Sequence, residues 1–213
     1  FYTRKYSNLV EYKAGELHLS GDVDWANKIE ANGTGSTYGA ELLIRKKKGD
    51  LNGFLSYTYS RSIREYEGIN NGEPYLYDFD RPHDFSINLS YSLSKIISLN
   101  ALWVFRSGLP VTLPIGKYYS FDIDAKPDNT YEAYIYSERN GYRMRPYHRL
   151  DFSIKHSRTK REKERNWTFS VYNVYNRLNP YYLYTEITDE GKMIIYEQAF
   201  FPFLPSLSYQ IKF

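Results

Sequence analysis

Apolar and polar positions alternate with a period of two through most of this chain. In the closing stretch Leu207, Tyr209, Ile211 and Phe213 take every second position, and Ser206, Ser208, Gln210 and Lys212 lie between them. Successive side chains on a strand point to opposite faces, so this segment has one greasy face and one wet face. Such a strand fits the last stave of a membrane barrel, whose outer face meets lipid and whose end sits in an aromatic girdle. It also fits a half-buried strand of a soluble sandwich.

The same period predicts about eight strands, most of them ~10–12 residues long. Residues 1–11 form the first. Residues 36–47 alternate Tyr38, Ala40, Leu42 and Ile44 with Gly39, Glu41 and Arg45, and residues 51–62 put Leu51, Leu55, Tyr57 and Tyr59 on one face. Residues 83–92 show Phe85, Ile87, Leu89 and Tyr91, and residues 96–106 show Ile97, Leu99, Ala101, Trp103 and Phe105, with weaker alternation because Leu102 and Val104 lie opposite. Residues 147–157 carry Leu150, Phe152 and Ile154. A long Tyr-rich strand is predicted over 167–186, and residues 193–213 return, with Pro202 and Pro205 making the first half of the return an irregular edge. No helix is predicted.

The connections sort by length. Turns at 48–50, 92–95 and 158–166 are short, whereas 12–34, 64–82, 108–146 and the hairpin 178–203 are long, and the two kinds alternate. Outer-membrane barrels have short periplasmic turns and long extracellular loops. A strand of ~10 residues at ~3.4 Å each, tilted by ~45°, covers ~24 Å, the height of their apolar band. A soluble sandwich has no reason to sort its loops this way.

Composition narrows the class. Aromatics are 18% of 213 residues, with 24 Tyr and 12 Phe, yet mean hydropathy is −0.62. No apolar run approaches a spanning helix, while a barrel wall needs apolar residues only at alternate positions. The net charge of +3 is too small to argue for nucleic acid. The absence of cysteine excludes a disulfide framework and thiol chemistry. Phe1-Tyr2-Thr3-Arg4-Lys5-Tyr6 already has the look of mid-strand, so residues 1–213 are expected to be a single region cut from a longer protein.

Several stretches resemble the C-terminal half of TonB-dependent outer-membrane transporters, of the plug-and-barrel kind common in Bacteroidetes-type bacteria. They are Tyr38 to Gly49, Gly53 to Ser62, Tyr77-Asp-Phe-Asp-Arg-Pro-His-Asp84, Phe105-Arg-Ser-Gly-Leu-Pro-Val-Thr112, Tyr147-His-Arg-Leu-Asp151, Tyr172-Asn-Val-Tyr-Asn176 and the terminal Phe213. None is specific alone; their order and spacing carry the resemblance. It implies an all-β, antiparallel transmembrane barrel segment, about eight strands of a 22-stranded barrel. The plug, the TonB-contacting segment and the signal peptide have no counterpart here. The implied function is import of a scarce nutrient (glycan, peptide or metal chelate) across the bacterial outer membrane. The implied partners are outer-membrane lipid, the TonB complex acting through the plug, a surface lipoprotein and the barrel-assembly machinery. The resemblance implies no cofactor, no nucleic acid and no enzymatic step. Two alternatives stay open at this point: a complete small eight-stranded outer-membrane barrel, adhesin-like or a membrane hydrolase, and a soluble all-β binding module.

Candidate chemistry is sparse. His83 with Asp78, Asp80 and Asp84 could suggest a metal cluster, but residues 83 and 84 face opposite ways on a strand, so a rim stitched by Asp80, Arg81 and Asp84 at the strand start is the simpler reading. His148, Arg149 and Asp151 lack a nucleophile, and Arg149 and Asp151 fit a lumen ion network with Glu41, Arg45 and Arg106. Tyr57, Tyr59, Tyr91, Trp103 and Trp167 suit an interfacial belt. In the 108–146 connection Tyr118, Tyr119, Phe121, Tyr134, Tyr136, Arg143 and Arg145 are candidate ligand contacts, since aromatic faces and guanidinium donors suit sugars, peptides or chelates. Leu207, Tyr209, Ile211 and Phe213 are the candidate assembly signal.

Overall fold

The computed structural model describes residues 1–13, 25–121, 130–160, 163–188 and 192–212, and is all-β and antiparallel. In chain order the strands are β1 (Tyr2–Tyr12), β2 (Ile29–Lys46), β3 (Leu51–Glu65), β4 (Tyr75–Leu76), β5 (His83–Ser92), β6 (Ile97–Arg106), β7 (Pro110–Val111), β8 (Pro114–Phe121) and β9 (Thr130–Tyr136). They continue with β10 (Tyr142–Arg143), β11 (Tyr147–Lys160), β12 (Lys163–Tyr172), β13 (Pro180–Ile187), β14 (Met193–Ala199) and β15 (Leu204–Lys212). Short 3-10 turns at Trp25–Lys28 and Asn70–Gly72 supply the only helical geometry among the described residues.

The main sheet is an up-and-down meander in the order β1-β2-β3-β5-β6-β11-β12-β15, with β4 paired to β3 alone. Every long strand therefore lies beside its predecessor in the chain, as local hairpin formation dictates. β1 pairs only with β2 and β15 only with β12, so the sheet is open, and among the described residues each outer strand keeps one unpaired edge. Pro205 sits in β15, where its missing donor is tolerated at an edge.

The register converts the period-two pattern into continuous rows. On one face Leu51, Tyr91, Leu99, Ile154, Phe169 and Leu207 run side by side across six strands. Another row on that face is Leu42, Tyr57, Phe85, Phe105 and His148. On the opposite face the matching row is Asn52, Ser90, Asn100, Ser153, Ser170 and Ser206. The apolar face is not covered: Leu207 is 67% exposed, Ile44 57% and Leu42 52%. The buried cluster is small, consisting of Tyr66, Ile69 and Tyr75 with Leu9 against it, and it lies where β1, β4 and the connection after β3 meet.

The length rule for the connections holds. Tight turns join β2 to β3 and β5 to β6 at one end, where Gly49 takes a φ of 95° that suits glycine. The long connections after β1, β3, β6 and β12 all leave the other end.

Several expected boundaries move. The predicted strand over 167–186 breaks after Tyr172, because Asn173 and Asn176 adopt φ of 55° and 53° and turn the chain away. The predicted return over 193–213 divides into β14 and β15, with Phe201 at φ 51° between them. The gap at 108–146 is not featureless, for β8 and β9 form a separate two-stranded ribbon, as do β13 and β14. The first connection is shorter than 12–34, since β2 already begins at Ile29. Phe213 lies outside the described residues, as do Gly15, Gly21, Asp22 and the hairpin tip 189–191.

Candidate functional site

The long-connection end of the sheet gathers most of the side-chain chemistry. Asp80, just before β5, is its hub. Its carboxylate is fully buried and takes Arg143 at 2.6 Å, Arg61 at 3.5 Å and the Ser62 amide at 2.7 Å. Arg143 also donates to the carbonyls of Asp80 and Gly108, both at 2.8 Å. A Cβ at Gly108 would overlap the Met144 carbonyl, so glycine is needed for the β6 exit to pass this close to β10. A buried carboxylate is tolerated only when paired and hydrogen-bonded, and Asp80 is both.

Two asparagines tie the connections together. Asn140 is buried; its amide donates to the Leu76 carbonyl at 2.7 Å and to Asp78 at 2.6 Å, and its backbone amide donates to the Thr112 hydroxyl. Asn173 is fully buried; its side chain donates to the Arg177 and Phe201 carbonyls and accepts from the Arg177 amide. Asn173 also donates its backbone amide to Asp151 at 3.0 Å. Asn tolerates the left-handed region, which is where both residues sit.

The expected ion network is built in separate pieces. Arg149 pairs with Asp151 at 3.0 Å and donates to the hydroxyls of Tyr147 and Tyr172 at 2.7 and 2.6 Å. Arg106 pairs instead with Asp84 at 3.0 Å. Glu41 lies in the row of Thr58, Asp84 and Arg106, three strand spacings or ~14 Å from Arg106. Arg45 lies in the row of Phe54, Asn88, Leu102 and Asp151, four spacings or ~19 Å from Asp151. So β2 is too far away for Glu41 and Arg45 to join either pair directly.

The connection residues divide in the same way. Tyr118, Tyr134 and Tyr136 are exposed on the β8–β9 ribbon, and the rings of Tyr134 and Tyr136 are 6.4 Å apart. The side chains of Tyr119 and Phe121 lie outside the described set. Arg143 is consumed by Asp80, and Arg145 by an ion pair with Glu197 on β14. Arg143 is held by Asp80 and two carbonyls, whereas Arg145, more exposed, keeps donors beyond those on Glu197. Leu207, Tyr209 and Ile211 project from the apolar face of the edge strand β15, and the Tyr209 ring packs 4.4 Å from that of Trp167.

His83 and Asp84 do face opposite ways. His83 Nδ1 meets the Tyr57 hydroxyl at 2.9 Å on the apolar face, while Asp84 takes Arg106 on the polar face. His148 Nδ1 meets the Tyr175 hydroxyl at 2.8 Å in the same apolar girdle, and its ring stacks on Phe105. Tyr57 and Tyr59 belong to that girdle, with Trp103 packed edge-on against Phe85 beside it. Tyr91 and Trp167 lie toward the tight-turn end. No group of three side chains able to hold a metal comes together among the described residues.

A cleft of about 340 Å³ opens on the polar face under the base of the β13–β14 ribbon. Arg81, Arg106, Tyr147 and Tyr172 line its sheet side, and Tyr181 and Phe200 line its ribbon side. No family model, curated protein or solved structure matches the chain. The expected rim of Asp80, Arg81 and Asp84 does not form as such: Asp80 takes Arg143 and Arg61, Asp84 takes Arg106, and Arg81 makes no ion pair among the described residues. Nothing in the sequence pattern marks Asn140, and Asn173 stands out only within the Tyr172–Asn176 stretch; Asn between strand patterns is the available signal for both.

Proposed function

We propose that this chain is a stretch of the wall and mouth of a TonB-dependent outer-membrane transporter that imports a scarce nutrient. The observation that carries the membrane half of this reading is the bare apolar face. Rows of Leu, Ile, Phe and Tyr run across the strands, exposed, and are backed by rows of Ser and Asn. A soluble sheet of this size would cover such a surface with a second layer. A bilayer covers it with lipid, and the polar face then meets a watery interior.

The girdles fit the same reading. From the Tyr59–His83 row to the Ile97–His156–Trp167–Tyr209 row is ten residues along a strand. At ~3.4 Å per residue and ~40° of tilt that spans ~26 Å, against an apolar band of ~25 Å. The long connections belong outside the cell and the tight turns in the periplasm. The unpaired edges of β1 and β15 favour a larger wall over an eight-stranded barrel, which would close by pairing these two strands.

The transporter half rests on the resemblance, and its stretches are in contact in two pairs. Asp80 comes from Tyr77–Asp84, Gly108 from Phe105–Thr112, Asp151 from Tyr147–Asp151 and Asn173 from Tyr172–Asn176. Arg143 bonds the first two, and Asp151 bonds Asn173. Both pairs tie strand ends to connections at the long-connection end, as a transporter needs in order to hold its loops around a ligand. The chain supplies wall, lumen surface and part of the mouth, and no bond chemistry; capture and energised release belong to loops and plug acting with TonB.

Fractionation of cells expressing the whole protein that contains this chain tests this. The expected result is recovery in carbonate-washed outer membranes, heat-modifiable electrophoretic mobility, and nutrient uptake that stops in cells lacking TonB. Recovery in the soluble fraction would overturn the membrane reading, and uptake indifferent to TonB would overturn the transporter reading.

A further inference from the structure

Arg81 stands between β4 and β5, half-buried at the floor of the cleft beneath the β13–β14 ribbon. Three arginines line this cleft, Arg81, Arg106 and Arg145, and among the described residues no acidic residue does. Asp84 and Glu197 stand just outside it, and each is committed: Asp84 bonds Arg106 at 3.0 Å, and Glu197 bonds Arg145. Arg81 makes no ion pair among the described residues. One positive charge is thus left over, in a cleft otherwise walled by the aromatic residues Tyr147, Tyr172, Tyr181 and Phe200.

We propose that this cleft is a binding subsite for an anionic group (carboxylate or phosphate) carried on a flat or apolar body, with Arg81 as the residue that recognises the charge. The inference rests on the mouth-and-lumen reading of the polar face, and it names a ligand class for that mouth. An arginine offers a planar fork of donors that matches carboxylate and phosphate oxygens, and partial burial strengthens the contact. Rings on both walls suit the uncharged part of the ligand. The volume of about 340 Å³ admits a body of one or two rings. Burial pushes the Arg81 guanidinium down from its usual range, the neighbouring Arg106 charge adds to this, and the Asp84 charge offsets only part of it. An incoming anion relieves both penalties. The polar-face position favours a dissolved ligand over a lipid headgroup, which would meet the opposite face.

The test uses the full chain folded in detergent micelles, with benzoate and phenyl phosphate as probes and benzyl alcohol as the uncharged control. Saturable binding of at least one anion is expected, with benzyl alcohol at least about tenfold weaker. Arg81→Gln should weaken the anion by about tenfold or more and leave benzyl alcohol unchanged, whereas Lys95→Gln, in a tight turn at the far end, should change neither. On the unsubstituted protein, phenyl phosphate should protect Arg81 from phenylglyoxal, read by peptide mass spectrometry, so the outcome does not depend on the variant folding. Equal binding of anion and alcohol, equal binding by Arg81→Gln, or modification of Arg81 indifferent to phenyl phosphate would each overturn the proposal. Such a failure is distinct from failure of the transporter reading, which would appear as a chain soluble without detergent or an uptake that ignores TonB.

Discussion

Asp80 and Asn173 show how much of the long-connection end depends on single polar groups. Asp80 is buried with two arginines on it, so removing the carboxylate strands the Arg143 charge among carbonyls. Asp80→Ala should therefore cost about 3 kcal/mol or more in denaturant unfolding of the detergent-folded chain. Arg61→Ala, at the long and more open end of the same cluster, should cost about 1 kcal/mol or less. Asn173 both bridges Arg177 to Phe201 and holds a φ of 55°. Asn173→Ala loses the bridges and adds backbone strain, about 3 kcal/mol together, while Asn173→Gly should recover about 1 kcal/mol of it by relieving the strain alone. If the two variants unfold alike, the backbone argument fails. Tyr75 adds a pH signature. Burial, reinforced by the Glu11 charge, raises its hydroxyl above the usual 10.0, and burial raises Tyr66 as well. The unfolded chain would lose these protons first as pH rises. The contribution to stability is therefore full below pH ~10 and is lost above it. Near-ultraviolet circular dichroism should show the mouth loosening only in that alkaline range, and Tyr75→Phe should remove part of the effect.

At the scale of elements, wall and mouth separate. The β8–β9 ribbon joins the rest at its base, where Leu113 and Ser137 exchange bonds, and its exposed Tyr118, Tyr134 and Tyr136 point away from the sheet ladders. Replacing 114–136 by a short Gly-Ser linker should leave heat-modifiable mobility intact and abolish nutrient uptake; a chain that no longer inserts would show the ribbon to be part of the wall. The elements also show what a sequence can and cannot disclose. Strands β3, β5 and β6 were legible because alternation is a local property, and the sorting of short and long connections followed from it. The division of 167–186 was not legible, since it depends on Asn173 finding partners at Arg177 and Phe201 in a left-handed conformation. Arg143 read as a ligand donor because its partner, Asp80, lies 63 residues earlier and only the folded sheet brings them together. Arg81 reads as a rim partner because Asp80 and Asp84 flank it in sequence, whereas the folded sheet gives those carboxylates to Arg143, Arg61 and Arg106. Glu41 and Arg45 were assigned to the network by face alone, and face says nothing about how many strands intervene.

For the molecule as a whole, the claim that everything rests on is that the sheet has two unlike surfaces, one for hydrocarbon and one for water. Leu207 and Ile154 stand exposed in one row, while Ser206 and Ser153 lie in a row on the reverse side. The bare edges of β1 and β15 then call for further strands rather than for each other. The most direct test is a scan of single cysteines over 97–106, 150–156 and 204–210 in the full chain, spin-labelled in lipid vesicles. Collision with oxygen, which enriches in lipid, is compared with collision with a water-soluble nickel chelate. The account predicts a strict two-residue alternation, with 99, 101, 103, 152, 154, 207 and 209 seen by oxygen and 98, 100, 153, 155, 206 and 208 seen by nickel. Labels at Leu99, Ile154 and Leu207 shielded from both reagents, as in the dry centre of a soluble sandwich, would contradict it.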